Sequence, residues 1–277
     1  MKKLSYLLPF AAAILFTFQS CQKETTSSEL SSVPANTTAG KSVKSSVKTN
    51  TFKGPEVQMG SGKARSWITI THDDVPVEIG MEITAGALNN LPTAEEGEEA
   101  STFVLPLHHK AQDVTPFDHL VINWEPNGHE PPGVYDVPHF DFHFYMISLG
   151  QQMSIMPGAA LGIPPAPGYL PADYVIPGAE VPMMGKHWLD PASPELIPPA
   201  SPLHHPFTYT FIYGSYNGQV VFQEPMVTRA FLLSNTEVST AIKQPALYAE
   251  HSYYPTRFNI YKDGGSYYIT LSDFVWR

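Results

Sequence analysis

Apolar and polar side chains alternate one for one over much of this chain. A period of two marks strands with one face buried. The alternation runs over residues 66–71 and resumes over 76–84, with His72-Asp73-Asp74 as the turn between. Residues 85–91 suit a short helix that Pro92 ends, and 102–107 and 119–124 read as further strands. Residues 125–133 carry too much Pro and Gly for regular structure. A strand follows from Pro138, reaching to about residue 149. Residues 207–213 and 219–223 pair as a hairpin, because Asn217-Gly218 supplies the positive φ its turn needs. Residues 227–243 hold one or two short helices, and a last hairpin, 257–261 with 266–271, turns at Asp263-Gly264-Gly265. The reading is mainly β: a barrel or sandwich of short antiparallel strands.

Between residues 157 and 206 the pattern breaks, because 13 of the 27 prolines fall there. Proline removes a backbone donor and blocks both helix and central strand. This is read as a long loop. Tyr169, Tyr174, Trp188 and several Met and Leu give it apolar anchors, which favours a packed, functional loop.

The densest chemistry sits in Pro138-His139-Phe140-Asp141-Phe142-His143-Phe144-Tyr145. On a strand, the three Phe enter a core while His139, Asp141 and His143 share the other face. Imidazoles and carboxylates in a row can bind a metal or move protons. Residues two apart lie roughly 6.6 Å apart and those four apart roughly 13 Å, so one ion cannot easily take both His139 and His143 from a flat strand. Either Asp141 partners one of them, or a bulge brings the two His together. Asp141 could also orient an imidazole. His187, in Met184-Gly185-Lys186-His187-Trp188, and Glu224, closing 219–224, are the natural completing ligands. His129 and Trp188 are expected around the site. The competing reading is that these His make ordinary structural hydrogen bonds and bind nothing. His108-His109 and His204-His205 flank prolines and read as surface pairs, and His251 has no evident partner. There is no G-x-S-x-G elbow, phosphate loop or dinucleotide fingerprint.

The first residues read as an export signal: Lys2 and Lys3, then a mostly apolar run from Leu4 to Phe18, then Phe18-Gln19-Ser20-Cys21. A small residue before a lone Cys resembles the lipobox of bacterial lipoproteins. Cys21 is the chain's one Cys, so no disulfide can form within the chain, and a lipid anchor is its best use. The expected organisation is a lipoprotein signal over residues 1–20, a flexible polar tether over 21–52, and one β-rich domain over 53–277. Gln22-Lys23-Glu24 partly resembles a surface-export tether signal, so the expected location is the outer membrane, facing periplasm or cell surface. A formal net charge of −10 with no basic cluster argues against nucleic acid as partner. The acid run 95–99 reads as a solvated loop.

The succession Trp67 through Leu91, Gly128-His129-Glu130-Pro131, Tyr135-Asp136-Val137-Pro138-His139-Phe140-Asp141-Phe142-His143-Phe144-Tyr145, Pro182-Met183-Met184-Gly185-Lys186-His187-Trp188, and Pro206-Phe207-Thr208-Tyr209-Thr210-Phe211-Ile212-Tyr213-Gly214 leading to Glu224-Pro225-Met226 resembles one family. It is a domain-of-unknown-function family of exported bacterial proteins, one member of which belongs to an envelope-stress regulon. The resemblance implies a β-rich exported domain capable of ring-like self-assembly, and no defined activity. A weaker likeness is to cupins, whose metal sits inside a small β-barrel on three His and one Glu, the inventory of His139, His143, His187 and Glu224. The cupin pattern spaces two His at i, i+2, whereas here the spacing is i, i+4.

The resulting expectation is a lipid-anchored envelope protein with one divalent-metal site, zinc foremost, drawn from His139, Asp141, His143, His187 and Glu224. The alternative is a non-catalytic interaction or self-assembly protein whose His/Asp row is structural. Homo-oligomerisation fits either reading, and neither names a small-molecule ligand or a reaction.

Overall fold

A computed structural model describes residues 47–94, 101–160, 162–175 and 181–277. The expected signal, Cys21, most of the tether and the acid run 95–99 lie outside the described residues. In chain order the first strands are β1 (Thr49–Lys53), β2 (Val57–Met59), β3 (Gly62–Thr71), β4 (Pro76–Thr84), β5 (Thr102–Pro106), β6 (His119–Glu125) and β7 (His139–Tyr145). Then come β8 (Lys186–Trp188), β9 (Tyr209–Tyr216), β10 (Gln219–Thr228), β11 (Val238–Ala241), β12 (Tyr253–Tyr254), β13 (Arg257–Asp263), β14 (Ser266–Ser272) and β15 (Val275–Trp276). Helices are short: α1 (His109–Val114), α2 (Leu149–Met153), α3 (Arg229–Leu233) and a 3-10 turn at Ala85–Leu88.

Two antiparallel sheets form a sandwich. The first runs β1-β3-β4-β14-β13-β11, with β2 paired to β3; the second runs β5-β6-β7-β10-β9-β8. Neither sheet closes among the described residues, so the barrel alternative gives way to the sandwich. One continuous core fills the space between them, joining Ile68, Ile79, Ile260 and Ile269 to Leu120, Phe140, Phe142 and Phe144. Each of the three Phe is fully buried, which stabilises the fold by about 1.5–3 kcal/mol per side chain. The strand thus places its aromatic row as its alternation predicts.

Several boundaries differ from expectation. The first sheet begins at Thr49, inside the stretch assigned to the tether, and β1 pairs residue for residue with β3. The strand ending at Tyr145 is shorter than expected, because Ser148 and Gln151 form a reciprocal cap that starts α2. The 157–206 segment is not structureless. Its Pro-free stretch Lys186–Trp188 adds β8 to the edge of the second sheet, and Val175 bridges Leu189. Residues 227–243 contain one helix and then the edge strand β11.

The second sheet is buried on both faces. Its outer face carries Val121, Tyr145 and Phe222 in one apolar cluster and Ile212 and Met226 in another. The Gly/Pro loops supply the cover: Met184 over the first cluster, and Tyr135, Leu189 and Phe207 over the second. The polar row of β7 lies under this cover, outside the main core.

Candidate metal centre

β7 is central in its sheet, between β6 and β10. Its register sets His139 opposite Thr228 and Asp141 opposite Met226, while Gln223 faces Phe144. Glu224 therefore falls opposite His143. Pro225 has no N–H to give, and the β7–β10 ladder lapses at Glu224 and Pro225 before resuming at Met226. The Glu224 carboxylate is thus fixed beside His143 by strand pairing on either side.

His129 reaches β7 from the preceding loop. Gly128 takes φ +72°, and a Cβ there would stand 2.1 Å from the Tyr135 carbonyl oxygen, so only glycine fits. The His129 N–H then donates to that same carbonyl at 3.2 Å, closing the loop over the sheet. His187 arrives on β8, opposite Gly214 of β9. A Cβ at Gly214 would overlap the Phe222 ring at 1.9 Å. The bare glycine lets that ring lie against both His143 (4.7 Å between centroids) and His187 (5.3 Å).

These placements make two groups where the sequence reading expected one. His129, His139 and Asp141 form the first; His143, His187 and Glu224 form the second. Asp141 partners His139, no bulge joins His139 to His143, and β7 stays regular. His187 reaches His143 across the long Pro-rich segment, with 6.4 Å between ring centroids. The cupin analogy fails on both counts, since the sheets do not close and the imidazoles separate. Trp188 is not a lining residue: alternation turns it to the other face of β8, where Nε1 donates to Ser215 Oγ at 2.8 Å and the ring packs on the main core. His129, expected only near the site, stands among the donors. The sequence signal was its Gly/Pro-braced loop leading straight into β7.

In the first group His139 Nε2 lies 3.1 Å from His129 Nε2 and 3.2 Å from Asp141 Oδ1, and His129 Nε2 lies 3.4 Å from Asp141 Oδ2. Four bonds of 2.0–2.1 Å at tetrahedral angles put neighbouring donors about 3.3 Å apart. The tautomers agree with that geometry. His129 Nδ1 faces the Glu130 carbonyl at 2.8 Å, and His139 Nδ1 faces the Val137 carbonyl at 2.7 Å. Carbonyls only accept, so both Nδ1 atoms carry hydrogen and both Nε2 atoms point lone pairs at one place. Holding the far nitrogen on a carbonyl is how metal-ligating imidazoles are oriented. Without a metal, a proton must sit between the two Nε2 atoms. Burial works against charge on His129, but Asp141 outweighs it and its pKa is pushed up to about 10. Burial likewise opposes the Asp141 charge, and His139 and His129 overcome it, holding the carboxyl well below its ordinary range.

In the second group His143 Nε2 lies 3.3 Å, and His187 Nε2 3.6 Å, from Glu224 Oε2. Both nitrogens of His143 and Glu224 Oε2 are buried without a hydrogen-bond partner. Such orphans are rare and costly in folded proteins. Burial lowers the His187 pKa, keeping that imidazole neutral and able to ligate. Its side chain retains 18% exposure, a way in from solvent. Tyr145 stacks on His143 at 5.3 Å and donates to the Met183 carbonyl.

Two further buried groups carried no sequence signal. Tyr135 edges the His129 ring and donates to Glu195 Oε1 at 3.3 Å. Burial raises the pKa of both. The surface reading of the remaining His holds in part: His109 and His205 are exposed, while His108 caps α1 by accepting from the Lys110 N–H.

Among the described residues no helix is long and apolar enough to cross a membrane. A family model described as TTHB210-like, hypothetical protein TTHB210, matches residues 71–124. That span holds β4, β5, α1 and most of β6 and stops before all six triad residues. No curated protein and no solved structure matches the chain. What the chain is similar to is thus, over those residues, a family of hypothetical proteins.

Proposed function

We propose that this chain is a lipid-anchored metal-binding protein of the bacterial cell envelope, holding one divalent transition metal in each triad. One observation carries the reading. His139 Nε2 lies 3.1 Å from His129 Nε2 and 3.2 Å from Asp141 Oδ1, the other Asp141 oxygen lies 3.4 Å from His129 Nε2, and both imidazoles are oriented by backbone carbonyls, spacings close to those of a tetrahedral site. Neutral imidazole with carboxylate suits zinc best, and also iron, copper or manganese. Three protein donors per ion leave a fourth position for water or an outside ligand, where a metal would polarise what it binds. Support for the anchor comes from the apolar run Leu4 to Phe18 followed by Gln19-Ser20-Cys21, and the expected location is the outer membrane, facing periplasm or cell surface. Residues 47 and 48 lead directly into β1, which lies at an edge of the first sheet.

A second reading has an observation of its own. With its pKa near 10, a protonated His129 can donate to His139 or Asp141, making the first triad a charged hydrogen-bond cluster in a non-catalytic, self-assembling protein. Elemental analysis of protein purified without a His tag separates the two. Metal near stoichiometry, and a thermal upshift on adding zinc, is the expected result. Less than about a tenth of an equivalent of any transition metal with no zinc-induced shift would overturn it. Cys21→Ala should release the protein from the membrane fraction. Retention of that variant would refute the anchor alone.

A further inference from the structure

Met59, Met81 and Met226 are fully buried, the ordinary place for this side chain. Met153 and Met156, by contrast, are 59% and 61% exposed. Met183, far from them in sequence, is brought beside them and is part-exposed.

The backbone that carries these three is tied down. Gln152 Oε1 lies 2.7 Å from His119 Nε2, and Ile155 is fully buried. The chain through α2 thus turns Gln152 and Ile155 inward, and the residue after each, Met153 and Met156, outward. The Met183 N–H donates to the Ile155 carbonyl at 2.9 Å, and its carbonyl accepts from the Tyr145 hydroxyl at 3.2 Å. Both backbone groups of Met183 are therefore engaged in holding it next to Met156. Met183 also takes φ +60°, directly after Pro182, in a turn closed by the Met184 and Gly185 N–H groups on the Val181 carbonyl. Gly or Asn ordinarily fills such a position, because a larger side chain is strained there. A long thioether kept at a strained, solvent-accessible position points to a use for its sulfur.

Thioethers are soft ligands and select Cu(I). Zinc takes thiolate, imidazole or carboxylate instead. Methionine has three rotatable bonds, so sulfurs carried on fixed backbones can close around one ion. Residues 149–185 contain no Lys or Arg to repel a cation, and the chain carries a formal net charge of −10.

We propose that Met153, Met156 and Met183 form a surface thioether site for one soft monovalent metal ion, Cu(I) foremost. The site is separate from the two triads and stands whether or not they hold metal.

Ag(I), a soft monovalent ion that stays in one oxidation state, tests it. The tag-free protein would be labelled with ¹³C at its methionine methyls, saturated with zinc and titrated with Ag(I), each signal being assigned by a single Met→Leu variant. The Met153, Met156 and Met183 signals should shift together along one binding curve, while those of Met59, Met81 and Met226 stay in place. Zinc alone should move none of the three. Met183→Leu conserves volume and should keep the fold, yet weaken Ag(I) binding at the remaining two sulfurs by about tenfold or more. Three signals that do not move at saturating Ag(I), that follow three different curves, or that respond equally in Met183→Leu would overturn the proposal. Zinc content, measured on the same samples, reports on the triads alone, so a failure of the metal reading there would be seen separately.

Discussion

The two triads draw on the same inventory, two imidazoles and one carboxylate, and sit on the same face of one sheet. They differ in what holds them. In the first, each imidazole is tied by Nδ1 to a backbone carbonyl, and the three donors stand at ligation distance. In the second, neither nitrogen of His143 has a partner, and the donors are looser, with His187 on a three-residue edge strand. The lesson is that residue types do not define a metal site. The groups behind the ligands decide which site is rigid and which can adapt. The first triad is suited to permanent occupancy, and the second, reached through a part-exposed His187, to exchange.

The largest expected effect breaks the rigid member. Asp141→Ala leaves the buried His139 and the part-exposed His129 without their carboxylate partner and should destabilise the metal-free domain by about 2–4 kcal/mol. Chemical denaturation measures it. A loss below about 1 kcal/mol would mean that Asp141 is not electrostatically engaged.

Gly214→Ala comes next. The added Cβ would drive Phe222 off both imidazoles of the second triad, costing about 1–3 kcal/mol. Zinc affinity at the second triad should fall while the first stays intact. Equal weakening of both would show that the two are not separate in the way described.

His187→Ala should be milder for the fold. The residue is on an edge strand and part-exposed, so unfolding free energy should change by less than about 1 kcal/mol in the metal-free protein. Metal content should nonetheless drop by one equivalent. Collapse of the whole domain would instead assign the second triad a structural role.

The smallest effect is in pH. His129 has a raised pKa in the folded state, so its contribution to the metal-free fold is complete below about pH 6.5 and is lost as pH rises through about 10. Asp141 has a lowered pKa, so its contribution is present above about pH 4 and is lost on acidification below that. His129→Gln should flatten the alkaline side of the stability profile. A variant with an unchanged alkaline slope would show that His129 does not hold the proton.

Much of this could be read in the chain before any coordinates. The 139–145 alternation was enough to place three Phe in a core and three polar groups on the opposite face, because the strand period leaves no other choice. His187 and Glu224 were legible as partners of His143 from their isolation in apolar, Gly-braced segments. The division into two triads was not legible. It depends on which loop folds back onto β7, and His129 gets there through one positive-φ glycine. Trp188 was misplaced because the strand status of Lys186–Trp188 was hidden among prolines, and without it the alternation of His187 and Trp188 could not be assigned. The start of the first sheet at Thr49 was missed because β1 is an exposed, polar edge strand, whose composition matches that of a tether.

Two independent metal sites, rather than one shared site or none, is the central claim, and counting bound ions by native mass spectrometry tests it most directly. Tag-free protein saturated with zinc should carry two ions, one for each triad. His139→Ala and His187→Ala should each carry one. A wild type that binds a single ion lost in both variants, or that binds none, would contradict the account.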